Sequence, residues 1–462
     1  MEAKGRVLCD LTYRPTRTFG YPRIDNHAEN TCELCKLGYV LAELEGDQFL
    51  LEKRAVKRLR VGAASQSPQA RITLEKLART GAISVRLHQR DTRRTDIEID
   101  LLAGLSVGGY LETPFCRLLM RFTPTPLHFV IAVGLPVVEA KKYCVQAGLT
   151  EAIKAAQFVG GEQVGQLKHK LHANALVIIG QLSDHALLRG INAQLRPKVA
   201  GGCVTYISAL TIADSARNLA DLRIFLSYGE HGPESFTFRS ALELLLPWTG
   251  EEPSPWVQEL QLWQRLPGQS ENRQSWLMEN ASSSDNLFLP GINGQLAIAP
   301  DFVLLDTTTN IKPVSQADVY AIVCNALATA RCNNQGLEEK VQRANPTPVW
   351  GQTVYGQCVL CPSNFPDFND AVLRAALLRA ASVQELNYSV DEDSSEEMRD
   401  VILADISSWG QGRGDALPEF LLYMACGRLR LIRRHIEQLK TEIDESILPE
   451  HIKVLASSIS VY

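Results

Sequence analysis

The chain has 462 residues, of which 45% are hydrophobic and 21% charged, and its formal net charge is -5. At roughly 100–200 residues per domain, this length points to two to four domains with room for buried cores. So small a net charge excludes a chain that is polybasic throughout, and charge has to be read locally.

In chain order, the first region, 1–125, reads as α+β. Arg6–Tyr13 has the pattern of a strand, and Tyr39–Glu52 reads as two strands around the turn Glu45-Gly46-Asp47. Gln69–Ala82 is expected to be helical, and Ile83–Arg86 and Ile97–Leu102 to be strands. The start, Met1-Glu2-Ala3-Lys4-Gly5, leads into no apolar segment of a secretory signal. No apolar run reaches the roughly 18 residues of a membrane span. The eleven cysteines are odd in number and scattered among core-like segments, which predicts reduced thiols. A cytoplasmic location with no membrane partner is the expectation.

The pattern changes in the second region, 126–267. His128–Val133 is a short apolar run, Pro136–Phe158 looks helical with a break near Gly148, and Ala175–Ile179 is a second apolar run. A polar turn at Gln181–Asp184 leads into a helix over Asp184–Leu195, and Cys203–Ile207 is a third run. Apolar strands alternating with helices predict an α/β fold with a parallel sheet covered on both faces, over about 128–230. Ser240–Leu246 and Trp256–Leu266 read as helices, and 268–293 as a surface loop. The third region, 294–462, reads as mainly helical. Leu296–Leu305 is expected to give one or two strands. Gln316–Arg331, with Ser315 as N-cap, Asn369–Ala381, Ser394–Ile406 and Pro418–Thr441 are expected helices, and Asp391–Glu397 a charged connector and helix start. There is no internal repeat.

Three pieces of the second region follow an order that carries chemistry. A strand ends in Val133-Gly134-Leu135-Pro136, a glycine-rich basic loop follows at Gly160–His172, and Ala175–Gly180 then opens a helix. Backbone N–H groups at a helix N-terminus meet a phosphate dianion, and a nearby cation offsets its charge. This order resembles that of type I phosphoribosyltransferases. The likeness extends to the degenerate phosphoribosyltransferase-like proteins of bacterial anti-phage defence operons. It is carried by ALVIIGQLSDHALLRGINAQLR from Ala175, GGCVTYISALT from Gly201, the polar loop Ser227–Pro233 and LLLPW at 244–248. QADVYAIVCNALATAR at 316–331, CPSNFPDFNDAVLRAALLRAA at 361–381 and EFLLYMACGRLRL at 419–431 are similar to the same group.

The resemblance implies a Rossmann-like parallel core, a phosphoribosyl ligand with Mg2+, and an effector or sensor subunit working beside a separate ATPase or another operon-encoded protein. It places a ligand site at Gly134, Lys168, Lys170, Gly180, Ser183 and His185. The glycines would permit close backbone approach, the lysines would meet phosphate, and Ser183 and His185 would donate hydrogen bonds. The chain departs from active transferases where they carry two adjacent acids, since Gly180-Gln181 stands there. Asp184 at a helix start would repel phosphate, and Ser183 or Asp184 reads equally as an N-cap contributing about 1 kcal/mol. The alternatives are an active phosphoribosyl or glycosyl transferase, or a non-enzymatic scaffold that recruits a partner.

Other motifs carry less. VLLDTTTN at Val303–Asn310 has a strand, an acid and three threonines, but it reads first as a strand end with a turn. Cys32 and Cys35 form one CxxC and are the candidate Zn2+ ligands, with Cys9 and His27 close enough in the chain to complete a site, whereas nothing in the sequence brings the second CxxC, Cys358 and Cys361, to the first. Basic clusters at Lys53–Arg60 and Arg86–Arg94 keep nucleic acid among the partner readings, against the plainer one of a solvated face. Arg428, Arg430, Arg433 and Arg434, with Arg374 and Arg379, offer either an acidic-partner surface or a solvated helix face. His169, His172 and His185 flank the expected pocket. The chain has no GxxxxGK[ST], GxSxG or HExxH motif.

Overall fold

The computed structural model describes residues 39–45, 48–51, 58–62, 81–86, 96–105, 111–183, 185–213, 216–227, 236–246, 254–266, 271–279, 282–298, 314–325, 327–328, 362, 365, 371–411 and 413–460. Outside these residues lie the expectations for Arg6–Tyr13, Val303–Asn310, Asp184 and the helix over 69–80. So do Cys9, His27, Cys32, Cys35, Cys358 and Cys361, and most of both basic clusters. The chain divides into two compact units: Gln66–Ile83 with Asp91–Gly250, and Met1–Ser65 with Ser84–Arg90 and Glu251–Tyr462.

The expected hairpin is present. β1 (Tyr39–Glu45) pairs antiparallel with β2 (Gln48–Leu51), with Glu45 opposite Gln48, and β3 (Arg58–Gly62) lies parallel to β1. β4 (Ile83–Arg86) and β5 (Ile97–Ile99) follow. The strand expected to reach Leu102 stops at Ile99. Asp100 Oδ1 accepts the Leu102 N–H (3.0 Å), and α1 (Leu101–Leu105) begins there. α2 (Glu112–Phe122), which the sequence reading did not anticipate, buries Phe115 and Leu119.

The centre of the α/β unit runs β6 (Phe129–Val133), α3 (Val137–Gln146), β7 (Gln157–Gly160), β8 (Ala175–Leu182), α4 (His185–Leu195), β9 (Val204–Ala213), α5 (Ala216–Ser227) and β10 (Phe236–Leu245). All five strands are parallel, in the spatial order β10-β9-β8-β6-β7. Every residue of β6 and β9 is buried, because helices cover both faces of the sheet. On one face Ile131, Val177, Ile179 and Tyr206 share a core with Leu188 and Leu195 of α4 and Leu222 of α5. On the other, α2 packs on β9 and β10, and α3 on β6 and β7.

Three expectations for this unit are corrected. The helix expected over Pro136–Phe158 ends at Gln146, and Phe158 lies in β7. The polar turn expected at Gln181 begins later, because β8 continues through Leu182, which is 2% exposed. Ser240–Leu246 is not helical: residues 240–245 belong to β10, which pairs with β9 from Phe236↔Val204 to Leu245↔Ala213. Its Leu and Ala content favours a helix in isolation, but a ladder partner and burial of Phe238, Leu242 and Leu244 override that preference.

The second unit is mainly helical after residue 254. α6 (Pro255–Arg265) matches expectation, but the loop expected over 268–293 contains α7 (Glu271–Met278) and β11 (Ser282–Ser283), the latter paired with β4. Leu287, Phe288 and Leu289 are buried there, since Gln316 Oε1 accepts the Leu287 N–H (2.7 Å) and Arg273 donates to the Leu287 carbonyl (2.6 Å). The described part of Leu296–Leu305, residues 296–298, is not strand. α8 covers 316–325 and starts at a capping box: Ser315 Oγ accepts the Asp318 N–H (3.1 Å), and Asp318 accepts the Ser315 N–H (2.9 Å). α9 (Ala371–Ala380) and α10 (Glu392–Ser407) follow, α10 capped by Asp391. The single helix expected over Pro418–Thr441 is two, α11 (Leu417–Ala425) and α12 (Arg433–Glu445), separated at Gly427 with φ +71°. α13 (Glu450–Ser457) closes the described chain. No helix among the described residues is long and apolar enough to cross a membrane, and Cys116, Cys144, Cys203, Cys324 and Cys426 are in no disulfide.

Candidate functional site

The core sheet has a step at its C-terminal edge. β6 pairs with β8 only as far as Val133↔Ile179, whereas β8 continues with β9 to Leu182↔Thr211. Three further residues of strand rise about 10 Å, so β8 runs on past the end of β6, and a recess lies at the C-terminal ends of β6 and β7. Counted from β6, the strand order is 2-1-3-4-5, and successive connections reverse direction between β6 and β8. In open α/β sheets, ligands bind outside the strand C-termini at such a reversal. The recess holds a cavity of about 420 Å3, walled by Gly134–Val137 after β6, Gly160–Glu162 after β7, and Leu187, Gly190, Ile191 and Gln194 of α4.

Glycine makes the step possible. Gly134 turns the chain at φ +66°, and a Cβ there would stand 3.1 Å from the Gln181 carbonyl oxygen. A Cβ at Gly180 would lie 2.7 Å from the Gly134 carbonyl oxygen and 2.8 Å from Leu101 Cδ2. The loop after β6 and the extension of β8 therefore touch backbone to backbone. The close approach expected of these glycines is to each other.

Beyond the turn, α3 opens onto the cavity through Pro136 and Val137. Pro136 is its N-cap and supplies no side-chain acceptor, and the first backward bond of the helix is Ala140 N–H to the Pro136 carbonyl (3.0 Å). The N–H groups of the first turn have no partner within the helix and carry its positive dipole end. On the other side, the Glu162 carboxylate lies over Gly160, where any Cβ would collide with it. Among the described residues Glu162 is the one ionisable side chain on the wall, and Gln194 adds an amide. Gly190 faces open space, with nothing within 4 Å of a Cβ built there.

Of the six expected ligand residues, Gly134 alone lines the cavity, with Gly180 packed behind it. Lys168 and Lys170 are exposed and do not line it. Lys170 N–H donates to the Lys198 carbonyl (2.9 Å) and His172 N–H to the Ala200 carbonyl (2.8 Å), which ties their segment to the N-terminal edge of the sheet, ahead of β9. Lys170 there lowers the pKa of His128 below its usual value, after the larger effect of burial. Ser183 follows β8, half-buried and off the cavity wall. His185 starts α4 but is only 7% exposed, and its Nε2 is bonded to the Ile212 carbonyl (3.1 Å), so it fastens α4 to β9. His169 and His172 are exposed on the lysine segment. The sequence reading missed Glu162, Gly190 and Gln194. Gly160-Gly161-Glu162, two glycines and an acid after an apolar pair, was the available signal, masked by the helix read through Phe158.

The arginines of the helical unit are mostly committed inside it. Arg379, fully buried, bonds Glu419 (2.8 and 2.9 Å) and pairs with Glu259 (2.8 Å), which also pairs with Arg273 (2.8 Å). Burial would raise the Glu259 pKa, but Arg273 and Arg379 outweigh it and hold the carboxyl near 2. Arg374 pairs with Asp405 (2.7 Å), both fully buried, and Arg428 donates to Gln258 (2.9 Å) and the Ala381 carbonyl (3.0 Å). Arg433 and Arg434 are exposed but pair with Glu437 and Glu392. The solvated basic face expected around Arg374, Arg379 and Arg428 is in fact a buried ionic network. Among the described residues, no group of three or more His, Cys, Asp or Glu side chains is arranged to hold a metal.

Compared with protein-family models, curated proteins and solved structures, the chain shows no significant match to any of them.

Proposed function

We propose that the α/β unit is a binding domain for a phosphorylated ribose, serving as the sensing part of a sensor or effector subunit. The observation that carries this reading is the cavity at the strand reversal, which joins the uncapped N-terminus of α3 to an acidic group at the end of β7. Helix N–H groups suit a phosphate, and a volume of about 420 Å3 is in the range of small-ligand sites. Binding without transfer follows from the wall chemistry. Among the described residues of the wall one carboxylate stands, without a second acid beside it to share the work of ribosyl transfer. The resemblance of Ala175 to Trp256 to the phosphoribosyltransferase-like proteins of anti-phage operons supports a place in a defence complex beside a separate ATPase.

Calorimetric titration of the full chain with phosphoribosyl pyrophosphate tests this reading. Binding is expected without release of pyrophosphate. Gly190→Leu, which places a side chain in the open space of the cavity, should abolish it. Lys168→Ala and Lys170→Ala should leave it unchanged. Pyrophosphate release, or binding that survives Gly190→Leu but is lost in the lysine variants, would overturn the proposal. Recovery of an ATPase with the protein from its native host would support the assignment to a complex, and its absence would count against it.

A further inference from the structure

At the end of the sheet opposite the cavity, Lys168-His169-Lys170-Leu171-His172 forms an exposed run, with Leu171 66% exposed. Its backbone is fixed. Lys170 N–H donates to the Lys198 carbonyl (2.9 Å) and His172 N–H to the Ala200 carbonyl (2.8 Å), so 170–172 runs beside 198–200 in the same direction and sets Lys198 next to Lys170. His172 holds φ +53°, a conformation uncommon outside glycine, and its Nδ1 lies 3.3 Å from the Gly201 carbonyl oxygen. Two residues on, the Asn174 side chain accepts the Cys203 N–H (3.0 Å) and donates to the Pro126 carbonyl (2.8 Å), and the Asn174 N–H donates to His128 Nδ1 (3.0 Å). The approaches to β6, β8 and β9 are thereby joined into one platform. Cations presented on a fixed backbone bind an anion at a smaller ordering cost than cations on a free loop.

The fold does not use these cations internally. Ahead of β7, Lys154 pairs with Glu151 (2.7 Å), and ahead of β9, Arg196 is bonded to Asn192 (3.0 Å). Among the described residues no carboxylate pairs with Lys168, Lys170 or Lys198. Two imidazoles and a leucine interleave with the lysines, and this decides between polyanions. A lipid surface calls for a denser cluster, about 4–8 lysines and arginines. A duplex presents phosphates but keeps the faces of its bases stacked inside. In a single strand the bases are free to stack on histidine rings and apolar surface while the phosphates meet lysines. We infer that this edge of the sheet binds single-stranded nucleic acid, with Lys168, Lys170 and Lys198 on its phosphates and His169, Leu171 and His172 against its bases. The surface is distinct from the cavity and does not depend on what the cavity holds.

The test is fluorescence anisotropy of the full chain with a labelled oligothymidylate of about 12 nucleotides, within the range of single-strand site sizes, and with a duplex of the same length. The single strand should bind at least about fivefold more tightly, the low end of the gain from one stacked base. Three phosphate contacts predict a slope of about −2 in the logarithm of the association constant against that of the salt concentration. Lys168→Ala, Lys170→Ala and Lys198→Ala should each flatten that slope by about 0.7, and His169→Ala should weaken binding about fivefold with the slope unchanged. The triple lysine-to-alanine variant should lose the oligonucleotide while its urea midpoint and its titration with phosphoribosyl pyrophosphate stay those of the wild type. Equal or tighter binding of the duplex, binding of phosphatidylserine vesicles in place of the oligonucleotide, or a slope unmoved by the lysine changes overturns the inference. So does an absence of binding at about 50 mM salt, where phosphate contacts are strong. Phosphoribosyl pyrophosphate binding is untouched by any of these outcomes, so the two readings fail separately.

Discussion

Gly134 and Gly190 both line the cavity, and they are there for opposite reasons. Gly134 has a positive φ and faces the Gln181 carbonyl, so a side chain is excluded twice, by backbone conformation and by contact. Gly190 sits in the middle of α4, where glycine is unfavourable by up to about 1 kcal/mol relative to alanine, and the space beside it is open. Gly134→Ala is therefore expected to destabilise the protein by about 1–2 kcal/mol, and Gly190→Ala to stabilise it by up to about 1 kcal/mol. Urea denaturation of the two variants checks both signs. A chain that keeps an unfavourable glycine over an open cavity has a reason to keep that space, and the ligand reading supplies one. The sequence marks both positions only as glycine. The distinction between them comes from the sign of φ and from what lies within 4 Å.

At the scale of elements, α10 and α12 are joined by Ser395 and His435. Arg434 Nε can only donate, so His435 Nε2 accepts from it (3.2 Å), and the imidazole proton sits on Nδ1, which donates to Ser395 Oγ (2.9 Å). Ser395 Oγ also accepts the Ile432 N–H (2.9 Å), which pins the start of α12. Burial first, then Arg399 and Arg434, push the His435 pKa below its ordinary 6.5 against the opposing pull of Glu396 and Glu392. Between the two pKa values the unfolded chain binds more protons than the folded one. This contribution to stability is whole above 6.5 and is lost as pH falls through the lowered folded value. The urea midpoint of the wild type should thus fall more between about pH 7.5 and about pH 5.5 than that of His435→Gln, which retains a donor and an acceptor but cannot titrate. Parallel pH profiles would show that His435 is not responsible. His435 falls within the helix that the sequence predicted over Pro418–Thr441. Its pairing with a serine 40 positions away has no trace in local periodicity.

At the scale of the whole molecule, α6, α9 and α11 converge on one buried cation. Arg379 spans Glu259 and Glu419, lies 5.1 Å from the Trp256 ring centroid, and shares Glu419 with the Leu289 N–H (2.6 Å). Removing it leaves the buried Glu419 carboxylate without a cation, while Glu259 keeps Arg273, a loss of about 3–5 kcal/mol. Arg379→Met is expected to lower stability by that amount in chemical denaturation. Replacing Arg379 and Glu419 together by apolar residues should cost less than the single change, because Glu259 keeps Arg273 and no charge is then left unpaired.

The apolar runs at Phe129–Val133, Ala175–Ile179 and Val204–Ile207 were legible as strands, since buried parallel strands read as continuous hydrophobic stretches. The hairpin at Glu45-Gly46-Asp47 and the Ser315 cap were legible because their chemistry is local. These short-range signals were enough to place the α/β core and the helical character of the C-terminal region. The functional geometry was not local. Whether Ser240–Leu245 became strand depended on β9 offering it a ladder, and where β8 ended depended on the same neighbour. The step between β6 and β8 is a difference in length between paired strands, and a difference between partners is not written in either one alone. Lys168 and Lys170, inside the expected glycine-rich loop, stand off the cavity wall, while Glu162, at the start of the same loop, stands on it.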